Sequence, residues 1–165
     1  MKHLALVALI LLAGCSKPQP AKSPQTSASS DLERAAIAAG VIPDPDDTDI
    51  TGLYARDTDR VCIVPDSYGY KIGAFVDYGE SQTCSARGQV TRVGETLHVE
   101  FNDGCSFDAS FDGTNVIFPG NVPDACQKSC SGRASLGALE AERLSEAVSE
   151  ASTMRDSKGR LLCGG

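Results

Sequence analysis

The sequence predicts an α+β fold, mainly an antiparallel β meander of six or seven strands, barrel-like or roll-like, with a short N-terminal helix and a C-terminal helix. Between residues 50 and 118, apolar and polar residues alternate with a period of two, and short turn signals separate the runs. The segments before and after this region repeat their apolar residues with helical spacing. Six cysteines after residue 60 predict that disulfides cross-link this fold.

The N-terminal helix is predicted over residues 31–39. Ser30 and Glu33 form a capping box, in which Ser caps the helix and Glu follows three residues later. Small and apolar residues continue at helical spacing. Gly40 and Pro43 then predict the end of the helix, because glycine favours the C-terminal cap and proline cannot continue a helix.

Four alternating runs define the centre of the predicted sheet. Each run has an apolar and a polar side, as in antiparallel strands with one face on the core and one in water. The apolar sets are Ile72, Ala74, Val76 and Tyr78; Cys84, Ala86 and Val90; Leu97, Val99 and Phe101; and Cys105, Phe107, Ala109 and Phe111. Turns are predicted at Gly94-Glu95, at 102–104 and at Asp112-Gly113. A sheet of this size must curl into a barrel or roll, or be covered by a helix.

The C-terminal helix is predicted over residues 133–154, where it would cover the sheet. Its apolar side holds Leu136, Leu144, Ala147, Val148, Ala151 and Met154, and its polar side holds Glu142, Glu146 and Glu150. Glu140 falls on the apolar side. It either reaches water from the start of the helix or is a buried functional carboxylate.

The first fifteen residues form a separate pattern. Met1-Lys2-His3 is a basic start, residues 4–12 are an unbroken apolar run, and Ala13-Gly14 precede Cys15. This order is typical of a secretory signal, and the run is shorter than the roughly 20 apolar residues of a membrane span. Residues 1–14 are therefore predicted to be a removable signal peptide.

Leu12-Ala13-Gly14-Cys15 resembles the lipobox of bacterial lipoproteins. The resemblance covers residues 1–15 and implies that the Cys15 sulfur receives a diacylglycerol, that the signal is cut before Cys15, and that the new amine is acylated, for example with palmitate. Several acyl chains would anchor the protein stably in a lipid bilayer. Cys15 is followed by Ser16 and not by Asp. By resemblance to lipoproteins of bacteria with two membranes, this implies sorting to the outer membrane, with the chain facing the periplasm or the surface. The alternative is an ordinary secretory signal with an incidental cysteine.

Residues 15–30 are expected to be the lipidated cysteine and a flexible tether. Residues 16–30 contain three prolines, five serines and no large apolar residue, so they cannot bury enough surface to offset the entropy of ordering. Residues 31–165 remain as a single disulfide-stabilised, β-rich domain.

An even number of cysteines in an exported chain predicts structural disulfides, although it leaves their pairing open. The candidates are Cys62, Cys84, Cys105, Cys126, Cys130 and Cys163. Cys84 and Cys105 share the apolar parity of their strands and are predicted to point inward. A bridge from Cys163 would hold a tail that otherwise frays. The three-residue gap between Cys126 and Cys130 is not the redox spacing, and zinc would need further ligands, so we predict neither a metal nor a cofactor.

No catalytic residue is predicted. His3 leaves with the signal, so His98 is the one histidine of the mature chain, and its parity places it on the wet face of a strand. The sequence contains no Gly-x-Ser-x-Gly turn, phosphate loop or His-Glu-x-x-His pattern. The acidic segment 44–49 lacks the glycine and distal glutamate of a calcium loop and is interpreted as a solvated linker.

The charge of the domain bears on its partners. Removing Lys2, Lys17 and Lys22 from the 15 basic residues leaves 12 against 22 acidic residues in 31–165, a net charge of −10. Such a domain is repelled by nucleic acid, and electrostatics favour a basic envelope protein as its partner.

Three hypotheses of function follow. The first is a non-enzymatic binding or structural module of the cell envelope. The second is an inhibitor of a basic peptidoglycan-degrading enzyme, because the size, anchor, disulfides, acidity and small antiparallel barrel are similar in outline to lipoprotein inhibitors of animal-type lysozymes. The third is a hydrolase that uses Asp or Glu.

Overall fold

The protein, studied as a computed structural model, is described for residues 25–42, 44, 46 and 48–164. These residues form a closed barrel of eight antiparallel strands, in which sequence neighbours pair and the last strand pairs with the first. The strands are β1 (Gly52–Arg56), β2 (Asp59–Asp66), β3 (Gly69–Asp77), β4 (Thr83–Val93), β5 (Thr96–Phe101), β6 (Cys105–Phe111), β7 (Asn115–Ile117) and β8 (Glu140–Ser145). The helices are α1 (Gln25–Ala38) and α2 (Val148–Ser152), with 3-10 turns at Asn102–Gly104 and Asp124–Ser129. The predicted signal peptide, Cys15 and the tether up to residue 24 lie outside the described residues.

The predicted antiparallel meander is confirmed in its main features. Seven strands lie between residues 50 and 118, and the sheet closes on itself through an eighth. The predicted apolar parity places its side chains in the core, from Ile72 on β3 to Phe111 on β6. Tyr78 is an exception, since it follows the end of β3 and is 55% exposed.

The prediction of one long C-terminal helix over 133–154 is wrong. Residues 140–145 form β8, which pairs with β7 on one side and β1 on the other. A sheet that ended at β7 would leave two open edges, and closure removes both. The helical part is confined to Val148–Ser152. Glu140 consequently lies on an exposed strand face, where it accepts a 2.6 Å hydrogen bond from Arg56.

The N-terminal helix begins earlier than predicted. It runs from Gln25 to Ala38, so it starts before the predicted cap at Ser30 and includes the last part of the segment assigned to the tether. Residues 30–35 are exposed, and Leu32 is 73% exposed. A helix on the surface depends on its own backbone hydrogen bonds more than on packing.

Side chains fill the barrel interior. The largest buried side chains are those of Tyr54, Phe111 and Phe118. Near one end, the ring of Phe107 packs against Phe118 with 4.9 Å between centroids, and Phe101 lies 5.9 Å from Phe107. The remaining interior is mainly aliphatic, with Ile50, Ile63, Ile72, Leu97, Val61, Val76, Val90 and Val99 among its fully buried members. This barrel is therefore a packed core, and its solvent-accessible clefts lie on the outside.

A second, smaller core lies outside the barrel. Leu162 and Cys163 of the C-terminal tail, with Ala151 and Met154, pack on Cys62 of β2 and its neighbours. Gly73 of β3 lies directly under the tail, because a Cβ there would stand 2.6 Å from the Leu162 Cβ. The absence of a side chain at position 73 is what lets the tail approach the sheet.

Candidate functional site

The six candidate cysteines form three disulfides, which settles the pairing that the sequence left open. Cys84 and Cys105 point into the core as predicted. The bridges are Cys62–Cys163, Cys84–Cys130 and Cys105–Cys126. Cys126 and Cys130 are thus bonded to strands β6 and β4 and not to each other. These two bridges attach the segment between β7 and β8 to the barrel, and the third holds the C-terminal tail as predicted.

We expect the chain, purified as the predicted lipoprotein, to contain no free thiol, because all six domain cysteines are paired and the predicted lipid occupies Cys15. Alkylation of the purified, denatured chain followed by mass measurement checks this. Chain reduced before alkylation is the control and should gain six labels on the domain. Two or more labels without reduction would contradict the expectation.

Two arginines close one end of the barrel, and neither was predicted from the sequence. Arg92 of β4 and Arg143 of β8 point inward, with guanidinium carbons 5.2 and 5.3 Å from the Phe111 ring centre. Arg143 also lies 5.4 Å from the Tyr54 ring centre, which places two cations on aromatic faces.

Backbone carbonyls hold these arginines in place. Arg143 donates to the Asp49 carbonyl and, over 3.0 Å, to the Tyr54 hydroxyl, while Arg92 donates to the Thr48 carbonyl. Within the described part of the chain, Nη2 of Arg92 and Nε of Arg143 are buried without a hydrogen-bond partner. Burial raises the pKa of Tyr54 to about 12, although Arg143 opposes that rise. The tyrosine therefore stays a neutral hydrogen-bonding group, and the cluster seals the barrel end.

A cleft on the outer surface has a volume of about 800 Å³. We call it the polar cleft. One wall is the β3–β4 connection at residues 77–81, and the opposite wall is the tail at residues 156–160. The floor comprises Thr83 and Ser85 of β4 together with residues 128–131. The cleft therefore joins three segments that are far apart in the sequence.

The tail wall is organised by Asp156, whose side chain is 1% exposed. Its Oδ1 accepts hydrogen bonds from the backbone N–H groups of Lys158 and Arg160, both at 2.9 Å. Its Oδ2 accepts from the Arg160 guanidinium at 2.7 Å and from the Ser85 hydroxyl at 3.1 Å. Burial alone would raise the pKa of Asp156, but these hydrogen bonds together hold it below its ordinary value. The ionised carboxylate thereby links the tail wall to the floor.

The opposite wall is an ordered loop with an unusual backbone. Gly79, Glu80 and Ser81 follow one another in the left-handed region, with φ of 77°, 49° and 64°. Two of these are not glycine, so the surrounding contacts must hold them there. The Ser131 hydroxyl donates to the Ser81 carbonyl at 2.6 Å, which ties this wall to the floor.

The other residues considered from the sequence lie away from the cleft. His98 is exposed on β5, as its parity predicted, and its Nδ1 is 2.6 Å from the Asp108 carboxylate. Asp44 and Asp46 belong to the acidic segment, where Asp46 donates its N–H to the Asp44 carboxylate. Among the described residues, no group of three His, Cys, Asp or Glu side chains is arranged to hold a metal ion.

No family model, curated protein or solved structure matches this chain. Over the part of the chain that the structure covers, no helix has the length and apolar character needed to cross a membrane.

Proposed function

We propose that this chain is a lipid-anchored module of the bacterial envelope that binds its ligand in the polar cleft and does not catalyse a reaction. The observation that carries the proposal is the cleft itself, about 800 Å³ between two walls that are both hydrogen-bonded to a disulfide-linked floor. A site whose walls are already ordered loses little entropy when a ligand binds. The anchoring part of the proposal rests on the lipobox at Cys15, and the outer membrane is the proposed location.

A ligand in the cleft should stabilise the folded chain. We expect soluble fragments from a bacterial envelope digest to raise the Tm of the purified full chain by about 5 °C near saturation, because binding to the native state alone increases stability. Ser157→Trp, which places an indole on the tail wall, should abolish this shift. Differential scanning calorimetry in detergent micelles measures both.

Ser106→Trp is the matched control, since Ser106 is an exposed residue of β6 that does not line the cleft. This variant should respond to the digest as the unmodified chain does. The proposal fails if the unmodified chain shows no shift, or if Ser157→Trp keeps the full shift while its own Tm without ligand is unchanged.

Inhibition of a basic peptidoglycan-degrading enzyme is the second candidate function. It is supported by the small closed antiparallel barrel with three disulfides, together with the net charge of −10 on residues 31–165. Opposite net charges accelerate association and favour such a partner.

The second candidate predicts that the full chain slows an animal-type lysozyme in a cell-wall clearing assay. Half-inhibition is expected near equimolar ratio at micromolar concentration, and added salt should weaken it because the attraction is electrostatic. Bovine serum albumin, another acidic protein, serves as the control for non-specific charge effects. Undiminished lysozyme activity at micromolar excess of the chain rejects this candidate.

A further inference from the structure

We propose that the polar cleft binds a zwitterion, a short peptide whose ammonium group meets the 77–81 wall and whose carboxylate meets the tail wall. This inference rests on the proposed function, because it names the ligand class of the same site. It follows from three properties of the lining: the sign of the charge on each wall, the hydrogen-bonding chemistry of the floor, and the absence of aromatic rings among the lining residues.

The 77–81 wall is acidic. Asp77 and Glu80 both line the cleft from this side, and this wall contributes no cation to the lining. Asp77 accepts a 2.8 Å hydrogen bond from the Gly79 N–H, which fixes its carboxylate beside the loop. Glu80 has no partner among the described residues, and its backbone is held in the left-handed region by the loop. A carboxylate without a partner beside a second one attracts an ammonium group.

The tail wall carries the opposite charge. Arg160 is neutralised by Asp156, with two guanidinium nitrogens at 2.7 Å from the same carboxylate oxygen. Lys158 is the remaining cation of this wall, and no partner for its ammonium group is found in the described part of the chain. Because the Asp156 carboxylate fixes the backbone N–H of Lys158, the cation is presented by an ordered turn. Such a lysine attracts a carboxylate.

Lys128 and Asp103, the two other charged residues of the lining, contribute one charge of each sign. The Lys128 ammonium donates to the Asp103 backbone carbonyl at 3.3 Å, so this cation is directed toward that turn. Between the two charged walls the lining is rich in hydroxyls, from Ser81, Thr83, Ser85, Ser129, Ser131 and Ser157. Hydroxyls both donate and accept hydrogen bonds, which suits the amide groups of a peptide.

The lining also excludes an apolar ligand. None of the fifteen lining residues is aromatic. All of them have polar or charged side chains except Gly79 and the disulfide-bonded Cys130. Sites for apolar small molecules are instead lined mainly by hydrophobic and aromatic side chains. The cleft volume of about 800 Å³ leaves room for a tripeptide, whose extended backbone spans roughly 10 Å.

Three probes that differ in one charge test the inference on the full chain in detergent micelles. Trialanine carries both charges, N-acetyl-trialanine lacks the ammonium group, and trialanine amide lacks the carboxylate. Isothermal titration calorimetry is expected to show that trialanine binds at least about tenfold more tightly than either derivative, because each derivative leaves one wall unpaired.

Two variants assign the walls. Lys158→Gln should weaken trialanine about fivefold and leave the amide unchanged, whereas Glu80→Gln should weaken trialanine about fivefold and leave the N-acetyl derivative unchanged. Arg34→Gln and Glu33→Gln make the same charge changes on α1, which does not contribute to the lining, and should leave all three affinities unchanged.

The outcomes separate this inference from the function on which it rests. Equal affinities for the three probes, or equal losses in the cleft and control variants, overturn the zwitterion assignment. A chain that responds to the envelope digest but not to trialanine also overturns it, while the cleft remains a binding site. A chain that responds to neither overturns both.

Discussion

Removing the Cys62–Cys163 disulfide with Cys62→Ala and Cys163→Ala together should lower the free energy of unfolding by about 4 kcal/mol. The bridge closes a loop with a sequence separation of 101 residues, and a loop of that length restricts the unfolded chain strongly. Alanine is chosen because both cysteines are buried and alanine adds no polar group to the buried site. Urea unfolding followed by far-ultraviolet circular dichroism measures the change.

The Cys105–Cys126 pair is the matched control for loop length. Its sequence separation is 21, so the chain-entropy contribution of that bridge is smaller, about 3 kcal/mol.

The native-state effect of losing Cys62–Cys163 should be confined to the tail. The Leu162 N–H, which donates to the Met154 carbonyl at 3.0 Å, should exchange with solvent faster, while amides of β5 keep their relative order of protection. A loss below about 1 kcal/mol would mean that packing alone holds the tail.

The strands that local periodicity predicted are those with one face in the core and one in water. From Ile72 to Phe111, with the exception of Tyr78 beyond the end of β3, the predicted parity of a side chain was enough to place it inside or outside the barrel. Parity also placed Cys84, Cys105 and His98 correctly, since a period of two is a property of each strand by itself. Local pattern therefore accounts for most of the barrel wall.

The strand that closes the barrel has a different pattern, which explains the error over 133–154. Arg143 occupies an inward position of β8 and Leu144 an outward one that is 63% exposed. This inversion conceals the period of two and leaves Leu144, Ala147, Val148 and Ala151 at helical spacing. The inward arginine is stable there because it contacts the Tyr54 and Phe111 rings and donates to the Asp49 carbonyl. None of those partners is near it in the sequence.

The polar cleft was beyond local reasoning for the same physical reason. Its walls come from residues 77–81 and 156–160, and its floor from β4 and residues 128–131. Their proximity depends on the pairing Cys84–Cys130, on Cys62–Cys163 and on the hydrogen bond from Ser85 to Asp156. The six cysteines could be identified from the sequence, but which of them pair depends on how the closed barrel brings them together.

Phe111→Ala should be the most destabilising single substitution that we predict, with a loss of about 4 kcal/mol or more. Phe111 is fully buried and makes an edge contact with Tyr54, with 6.4 Å between ring centres. Truncation of a buried phenylalanine typically costs about 3–5 kcal/mol through lost burial and the cavity that remains. At this position it also removes the ring face that both Arg92 and Arg143 contact.

Leucine substitutions separate two contributions of the Phe111 ring to the free energy of unfolding, its contacts with the arginine cations and its packing in the core. Phe118 provides the comparison, because it is also almost fully buried but packs against the rings of Phe101 and Phe107. Phe111→Leu should cost about 1–2 kcal/mol more than Phe118→Leu in urea unfolding, since each buried cation–ring contact contributes about 0.5–1 kcal/mol or more. Urea is required because a guanidinium denaturant would compete for the ring. Equal losses would mean that the arginines depend on the carbonyls of residues 48 and 49 and not on the aromatic face. A larger loss at Phe111 would show that its ring supports both arginine charges.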